Sequence, residues 1–321
     1  MAIYQQSFLI YNPFAGGLRN RSSALHRSVE MLASQGITVE PTPTTGPAMA
    51  GEMARALVNQ GADLILAAGG DGTINEIVNG MAGSNVPLGI LPAGTANVLA
   101  NELGIPNSME RSAEKLLESV PERISLGLLS TALSEPRYLL LMAGAGMDAE
   151  IVYHLNPRVK NAIGKVAYWV AGVARFGRRL PEFIVETEGA SYRTSFALVS
   201  RVRNYGGDLE IAPTISLLDD EFEVVLFEGG STLPYVKYFL GVLAHRIRGM
   251  RGVTILRTRK LLFTGSQQGK VYVQVDGEAA GAIPASVEIV PSALTLLVPP
   301  GFRARRPPRV EDPAWTTSPT R

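Results

Sequence analysis

At 321 residues the chain is longer than one hydrophobic core usually serves, so two domains sharing a cleft are expected. Hydrophobic residues make up 46% and charged residues 18%, which excludes a chain disordered in bulk. Lys plus Arg number 30 against 29 Asp plus Glu, a net charge of +1 that excludes the basic footprint of a nucleic-acid binder. With no cysteine, disulfides, cysteine metal sites and thiol nucleophiles are excluded too.

In chain order, Met1 to Phe8 has no basic segment followed by an apolar run, so no secretory signal is read. Phe8 to Tyr11 reads as a first strand, and Leu25, Val29, Leu32 and Ala33 mark one face of a helix closed by Gly36. Ile37 to Glu40 is the next strand, Met49, Met53, Ala56 and Leu57 the next helix, and Leu64 to Ala68 a buried strand. Such alternation predicts a Rossmann-like, three-layer α/β domain with a parallel sheet over residues 1–132.

From about residue 135 the pattern changes to runs rich in β-branched and aromatic residues, among them Phe183 to Thr187, Thr194 to Ser200, Phe222 to Phe227, Val271 to Val275 and Val287 to Val290. A β-rich domain over 133–302 follows, with an exposed edge that would suit a homodimer. Val159, Ile163, Val166, Val170 and Val173 mark one interrupting helix; Leu233, Val236, Leu240 and Leu243 mark another, its apolar side read as core. Basic clusters end both, Arg175, Arg178 and Arg179 in the first, His245, Arg246, Arg248 and Arg251 in the second; these suit either an anionic bilayer or a helix dipole. No apolar run reaches the ~18–20 residues of a membrane span, so a cytoplasmic protein with at most peripheral membrane contact is expected. Residues 303–321 read as a disordered tail.

The chemistry concentrates at loops. Strand Leu64 to Ala68 runs into Gly69-Gly70-Asp71-Gly72-Thr73 and then a helix with Ile74, Ile77, Val78 and Met81 on one face. Backbone N–H groups at a helix start attract an anion, and glycines let a phosphate approach. An ordinary strand-to-helix turn also favours glycine. Asp71 tips the balance, because coordinating a nucleotide's Mg²⁺ or accepting a hydroxyl proton would explain an acid there. Strand Leu88 to Leu91 runs likewise into Pro92-Ala93-Gly94-Thr95-Ala96-Asn97 and a helix, and Asn12-Pro13 with Gly16-Gly17 follows the first strand. Three such loops line one crevice at the carboxyl ends of a parallel sheet. Late in the chain, Asp276-Gly277-Glu278 follows strand Val271 to Val275, a pattern that also reads as a β-turn.

Taken together, Asn12-Pro13, the run from Gly69 to Gly80, the run from Leu91 to Ala100 and Val275 to Glu278 resemble the diacylglycerol kinase catalytic-domain family, which includes bacterial lipid kinases and sphingosine kinases. The resemblance implies an α/β domain followed by a β-sandwich-like domain with the active site between them. It implies ATP and Mg²⁺ as cofactors and a lipid substrate with a free hydroxyl: diacylglycerol, a sphingoid base or phosphatidylglycerol. Gly69, Gly70, Asp71, Gly72, Thr73, Ile74, Asn75 and Thr95 would contact ATP, with Asn12, Thr42, Gly94 and Asn97 beside them. Glu278 becomes the leading general base, Asp276 its orienting partner or a Mg²⁺ ligand, and Asp71 the rival base. Asp148 and Glu150 fall where sphingosine kinases read the head group. The segment from Leu217 to Phe222 resembles the family's structural Mg²⁺ loop, implying the Asp220 side chain and the Leu217 and Phe222 carbonyls as ligands. Two departures stand out: Val98 where many bacterial members carry aspartate, and Glu221 where the family's usual glycine follows the aspartate. The alternatives are an NAD kinase, from the shared Asp-Gly-Thr loop, and a catalytically silent lipid or nucleotide sensor.

Overall fold

The structure is a computed structural model describing residues 4–13, 22–132, 134–154, 179–206, 209–266 and 269–305. The Gly16-Gly17 pair, the helix expected from Val159 to Leu180 as far as residue 178 with Arg175 and Arg178, and the tail beyond 305 lie outside the described residues, whereas Arg179 is described and bridges Ser231 in antiparallel pairing.

Four strands and their helices build the first layer set: β1 (Ser7–Tyr11), α1 (Ser22–Ser34), β2 (Val39–Pro43), α2 (Ala50–Asn59), β3 (Leu64–Gly69), α3 (Asp71–Met81), β4 (Pro87–Pro92), α4 (Val98–Leu103) and α5 (Met109–Leu117). The strands pair in parallel in the order β2-β1-β3-β4. Period-two alternation sends Leu64, Leu66 and Ala68 against α1 and α5, and Ile65 and Ala67 against α2 and α3. Being covered on both faces explains why β3 is apolar throughout. Helices α2 and α3 cross at two glycines: a Cβ on Gly80 would lie 2.0 Å from the Gly51 carbonyl oxygen, so no larger residue fits.

The remaining strands are β5 (Val120–Thr131), β6 (Ser134–Leu139), β7 (Met142–Gly146), β8 (Phe183–Glu186), β9 (Ser191–Thr194), β10 (Phe196–Ser200), β11 (Asn204–Tyr205), β12 (Leu209–Glu210), β13 (Phe222–Phe227), β14 (Val253–Thr258), β15 (Lys260–Thr264), β16 (Tyr272–Val275), β17 (Glu278–Ala282) and β18 (Ala285–Val298). Among the described residues two helices interrupt them, α6 (Met147–His154) and α7 (Leu233–Leu243). A six-stranded sheet, β14-β13-β10-β7-β16-β17, packs on the β18-β15-β8-β9 part of the large sheet. Ala143, Ala145, Ala197, Val199, Phe222 and Val224 point into the layer between them, against Val185, Phe263 and Val287.

Three expectations change. The second strand lies at Val39–Pro43, later than Ile37 to Glu40, because Ile37 closes α1 by bonding the Leu32 carbonyl. The run Thr194 to Ser200 is two strands in different sheets, hinged at the buried Ser195, whose hydroxyl donates to the Gly229 carbonyl. The sheet also does not break near residue 132. Strand β18 pairs with β15 and β5 in its first half and with β4 and β5 in its second, past an irregularity between Val290 and Leu294. Leu294 and Leu296 are wholly buried there, so the C-terminal strand completes the N-terminal sheet.

Candidate active site

In the order β2-β1-β3-β4, the connection after β1 leads to β2 on one side and the connection after β3 leads to β4 on the other, so the loops leaving the carboxyl ends of β1 and β3 part at a switch point, where a crevice forms. Asn12 N–H donates to the Ala68 carbonyl at 3.3 Å and Ala93 N–H to the Gly69 carbonyl at 2.9 Å, so the loops after β1, β3 and β4 meet at one edge. Thr42 sits one strand further out, its hydroxyl donating to the Glu40 carbonyl at 3.2 Å.

The two glycine loops pack on each other. A Cβ on Gly94 would lie 2.5 Å from the Gly70 Cα and 2.8 Å from Asn97 Oδ1, while one on Gly69 would lie 2.7 Å from the Thr73 Cβ. Glycine is therefore required at Gly94 by loop against loop, before any ligand is considered, while a Cβ on Gly70 would meet the Gly94 Cα at a tight 3.2 Å. Asn97, in the left-handed conformation at φ 45°, closes the second loop by accepting from Gly94 N–H at 2.8 Å and donating to its carbonyl at 3.1 Å. Asp71 joins the loops: its carboxylate accepts the N–H groups of Val98 at 3.1 Å and Leu99 at 3.2 Å, donors at the start of α4 that have no acceptor within the helix. Where the family pattern offers an aspartate side chain, Val98 thus offers its backbone N–H to Asp71. Gly70 begins α3 in extended conformation, leaving the first-turn N–H groups of Asp71, Gly72 and Thr73 at the crevice. Ile74 is buried in the core behind them and Thr95 is exposed at the mouth.

The late acidic turn closes the crevice from the other side. Asp276 (φ 48°) and Gly277 (φ 84°) form the two-residue loop between β16 and β17, both at positive φ as tight hairpins require. Asp276 Oδ1 accepts from Leu141 N–H at 3.0 Å and Met142 N–H at 2.8 Å; Oδ2 accepts from Leu140 N–H at 3.0 Å and Asn75 Nδ2 at 2.6 Å. Burial pushes its carboxyl up to about 6, against the pull of those four bonds. With four donors in place, Asp276 ties α3 to the hairpin and is a poor candidate for a metal ligand. Glu278 differs. Its side chain is 43% exposed, and a Cβ on Gly72 would meet its Oε1 at 3.1 Å, so it stands against the first turn of α3. Arg137 holds its other oxygen at 2.9 Å and also reaches Asn75 Oδ1 at 3.3 Å. Burial raises the Glu76 carboxyl, and repulsion from Glu278 adds to the rise, while Glu76 accepts the Ala50 N–H at the start of α2.

Several of these residues escape sequence reading. Arg137 carries no local signal. Asn79, one turn after Asn75, does: it donates to the Tyr138 carbonyl at 3.0 Å and accepts the Tyr138 N–H at 2.8 Å, docking α3 on β6. Gln274 accepts the Gly277 N–H at 2.8 Å and donates to Asp148 at 2.7 Å. Asp148 is wholly buried, also accepts the Tyr205 hydroxyl, and is pushed up to about 6 by burial. The residue expected at a head-group position thus faces the interior and braces the acidic turn through Gln274.

The loop expected to bind Mg²⁺ lies elsewhere, at the entry to β13. Its Leu217 carbonyl accepts Arg201 Nη2 at 2.7 Å, its Asp219 carbonyl accepts Arg201 Nη1 at 2.9 Å, and Asp220 accepts the Ser125 hydroxyl. Phe222 is a buried strand residue paired with Thr258. Burial pulls the Arg201 guanidinium down to about 10, opposed by Asp220 and Asp219, so it is charged at neutral pH. The implied ligand set of Leu217, Asp220 and Phe222 therefore does not fit a divalent ion, because a fixed cation already holds the Leu217 carbonyl.

Helix α7 also departs from expectation. Tyr235 and Tyr238 are its buried face, packed on Phe227, whereas Leu233, Leu240 and Leu243 are 64%, 58% and 49% exposed. The tyrosines prevail because each hydroxyl finds a partner inside, Tyr235 at Ser195 and Tyr238 at the Glu228 carbonyl. No helix among the described residues is long and apolar enough to cross a membrane.

Residues 6–129 match the family model of the diacylglycerol kinase catalytic domain, and residues 142–298 match that of the YegS C-terminal NAD kinase beta sandwich-like domain. A diacylglycerol kinase of Bacillus subtilis is 28% identical over 282 residues, covering 86% of this chain and 90% of that protein. A YegS-like lipid kinase of Cronobacter sakazakii is 27% identical over 302 residues, covering 92% and 96%. The crystal structure of a diacylglycerol kinase from Bacillus anthracis superimposes with a TM-score of 0.74 at 20% identity, covering 94% of this chain and 99% of that one, a likeness of fold. With an N-terminal α/β domain on a parallel sheet, a C-terminal β-sandwich-like domain, and family matches spanning both, the chain belongs to the diacylglycerol kinase catalytic-domain family.

Proposed function

We propose that this protein is an ATP-dependent lipid kinase, moving the γ-phosphate of Mg·ATP to a lipid hydroxyl at the seam of the two domains. One observation carries the reading: Glu278, from the C-terminal hairpin, stands half-exposed against Gly72 at the amino end of α3. A phosphate-attracting helix start and an open carboxylate at one point suit in-line transfer to an alcohol. The names of the relatives support a lipid as acceptor.

Each part then has a role. The first-turn N–H groups of α3, with Gly69 to Asn75, Gly94, Thr95 and Asn97 around them, receive the phosphates, and Asn12 and Thr42 flank the nucleotide. Glu278 accepts the hydroxyl proton, which suits the more open of the two acids in its turn. Arg137 orients it from behind. Asp276 and Asp71 are positioning residues, one fixing the hairpin to Asn75, the other fixing the second glycine loop to the first. Mg²⁺ accompanying the nucleotide supplies charge neutralisation, and needs only one or two protein carboxylates beside the phosphates. Asp71, in the first turn of α3, is the acid that would hold it, which leaves Glu278 for the hydroxyl proton.

The exposed leucines of α7, beside exposed Lys237, Arg246, Arg248 and Arg251, suit peripheral contact with an anionic bilayer. The deciding assay incubates purified protein with γ-labelled ATP, Mg²⁺, a panel of lipids bearing free hydroxyls, and NAD. Label in a lipid is expected. Label in NAD alone makes the protein an NAD kinase, and label in nothing makes it a sensor.

A further inference from the structure

We infer that the guanidinium of Arg201 is the resident cation of the 216–222 loop, so that this chain holds the loop in shape without a structural divalent metal. The idea is independent of which acceptor is phosphorylated.

The geometry is that of a cation site filled by a side chain. Arg201 is wholly buried just beyond β10, anchored by its own N–H to the Leu141 carbonyl at 2.8 Å. Its two terminal nitrogens reach the Leu217 and Asp219 carbonyls, and the charges of Asp219 and Asp220 lie beside it. A buried charge persists only when paired and hydrogen-bonded; here both terminal nitrogens are bonded and two carboxylates lie nearby, while Nε is buried without a partner. Asp220, the implied ligand, is held by Ser125 of β5. A dication sharing the Leu217 carbonyl with Arg201 would sit against a positive charge in a poorly screened interior.

A second arginine accounts for the other departure in this loop. Arg257 of β14 donates to Glu221 Oε1 at 2.9 Å and Asp219 Oδ2 at 3.3 Å, and also to the Thr214 carbonyl. Glu221 thereby finds a counter-charge, and no residue from 216 to 222 has positive φ, so glycine is not needed at that place. Arg201 from within and Arg257 from without set two positive charges against the three carboxylates of Asp219, Asp220 and Glu221.

The test is thermal unfolding of the full chain without nucleotide, in chelator and in excess Mg²⁺. The expected midpoints coincide. A rise of several degrees that saturates with Mg²⁺ and is lost in Asp220→Asn would overturn the inference, since a well-filled native site must raise the midpoint by mass action. Arg201→Asn leaves two carbonyls and two carboxylates without their cation, so its midpoint in chelator should fall by many degrees, with part of the loss recovered by Mg²⁺. An Arg201→Asn protein as stable in chelator as the wild type would also overturn it. If that variant gives no soluble protein, the wild-type pair of melts decides alone.

Discussion

Gly94→Ala separates two explanations of the glycine loops. The added methyl would lie 2.5 Å from the Gly70 Cα and 2.8 Å from Asn97 Oδ1. Carbon atoms settle at ~3.5–4.0 Å, so the loops must part by about 1 Å, and the obstacle is backbone rather than a side chain that can swing aside. Overpacking of this kind costs ~1–3 kcal/mol. The same displacement stretches the bonds from Val98 and Leu99 to Asp71, now 3.1 and 3.2 Å, to the limit of a hydrogen bond. Weakening two charge-assisted bonds adds ~1–2 kcal/mol, for a total of ~2–5 kcal/mol in denaturant unfolding. Because the phosphate-facing turn moves with the loop, turnover at limiting ATP should fall by ~10²-fold. Gly46→Ala is the control: it lies on the same edge, has only Met49 Cγ at 3.8 Å near the new methyl, and should change stability by less than ~0.5 kcal/mol. A Gly94→Ala protein as stable as wild type but unable to use ATP would refute the packing argument and return the glycine to a purely phosphate-facing role.

Three further outcomes follow from the geometry. Glu278→Gln should cut kcat by ~10²–10⁴-fold, yet move stability by less than ~1 kcal/mol because its pair with Arg137 is partly exposed; wild-type turnover in the folded variant would remove Glu278 from the chemistry. Asp148 has a folded pKa raised from 3.8 to about 6, so its contribution to stability is full below about pH 4 and lost as pH rises through 6. Between about pH 4 and 7 the wild type should therefore lose ~2 kcal/mol relative to Asp148→Asn, and parallel stability curves would contradict this. Replacing Leu240 and Leu243 by aspartate should abolish binding to phosphatidylglycerol vesicles without unfolding the protein, since both side chains are exposed; unchanged sedimentation with vesicles would end the membrane role.

What the sequence makes legible is what short-range periodicity encodes. Strand β3 and helix α3 read correctly because six buried residues and an i, i+3, i+4, i+7 stripe are local patterns. Helix α7 defeats the same periodicity: leucines at helical spacing look like a core face, but burial is decided by Ser195, far back in the chain, and by Phe227 and Glu228 at the end of β13, which accommodate tyrosine rings and hydroxyls. Strand β18 was equally opaque. Nothing near Leu294 tells that it pairs with Ile124 and completes a sheet begun near residue 7.

The Asp276-Gly277-Glu278 segment shows why a bland and a functional reading need not compete. Asp-Gly is a hairpin signal because both residues accept positive φ, and the hairpin is there. That tight turn directs consecutive acids to different tasks: Asp276 folds inward onto three backbone N–H groups and Asn75, while Glu278, the first residue of the returning strand, projects toward Gly72. A longer or looser loop would not hold Glu278 against the start of α3, because its position is inherited from Asp276 and from Gln274, which binds the Gly277 N–H. The turn chemistry therefore supplies the geometry on which the proposed base depends, and a residue pair that composition assigns to structure serves the site by being structural.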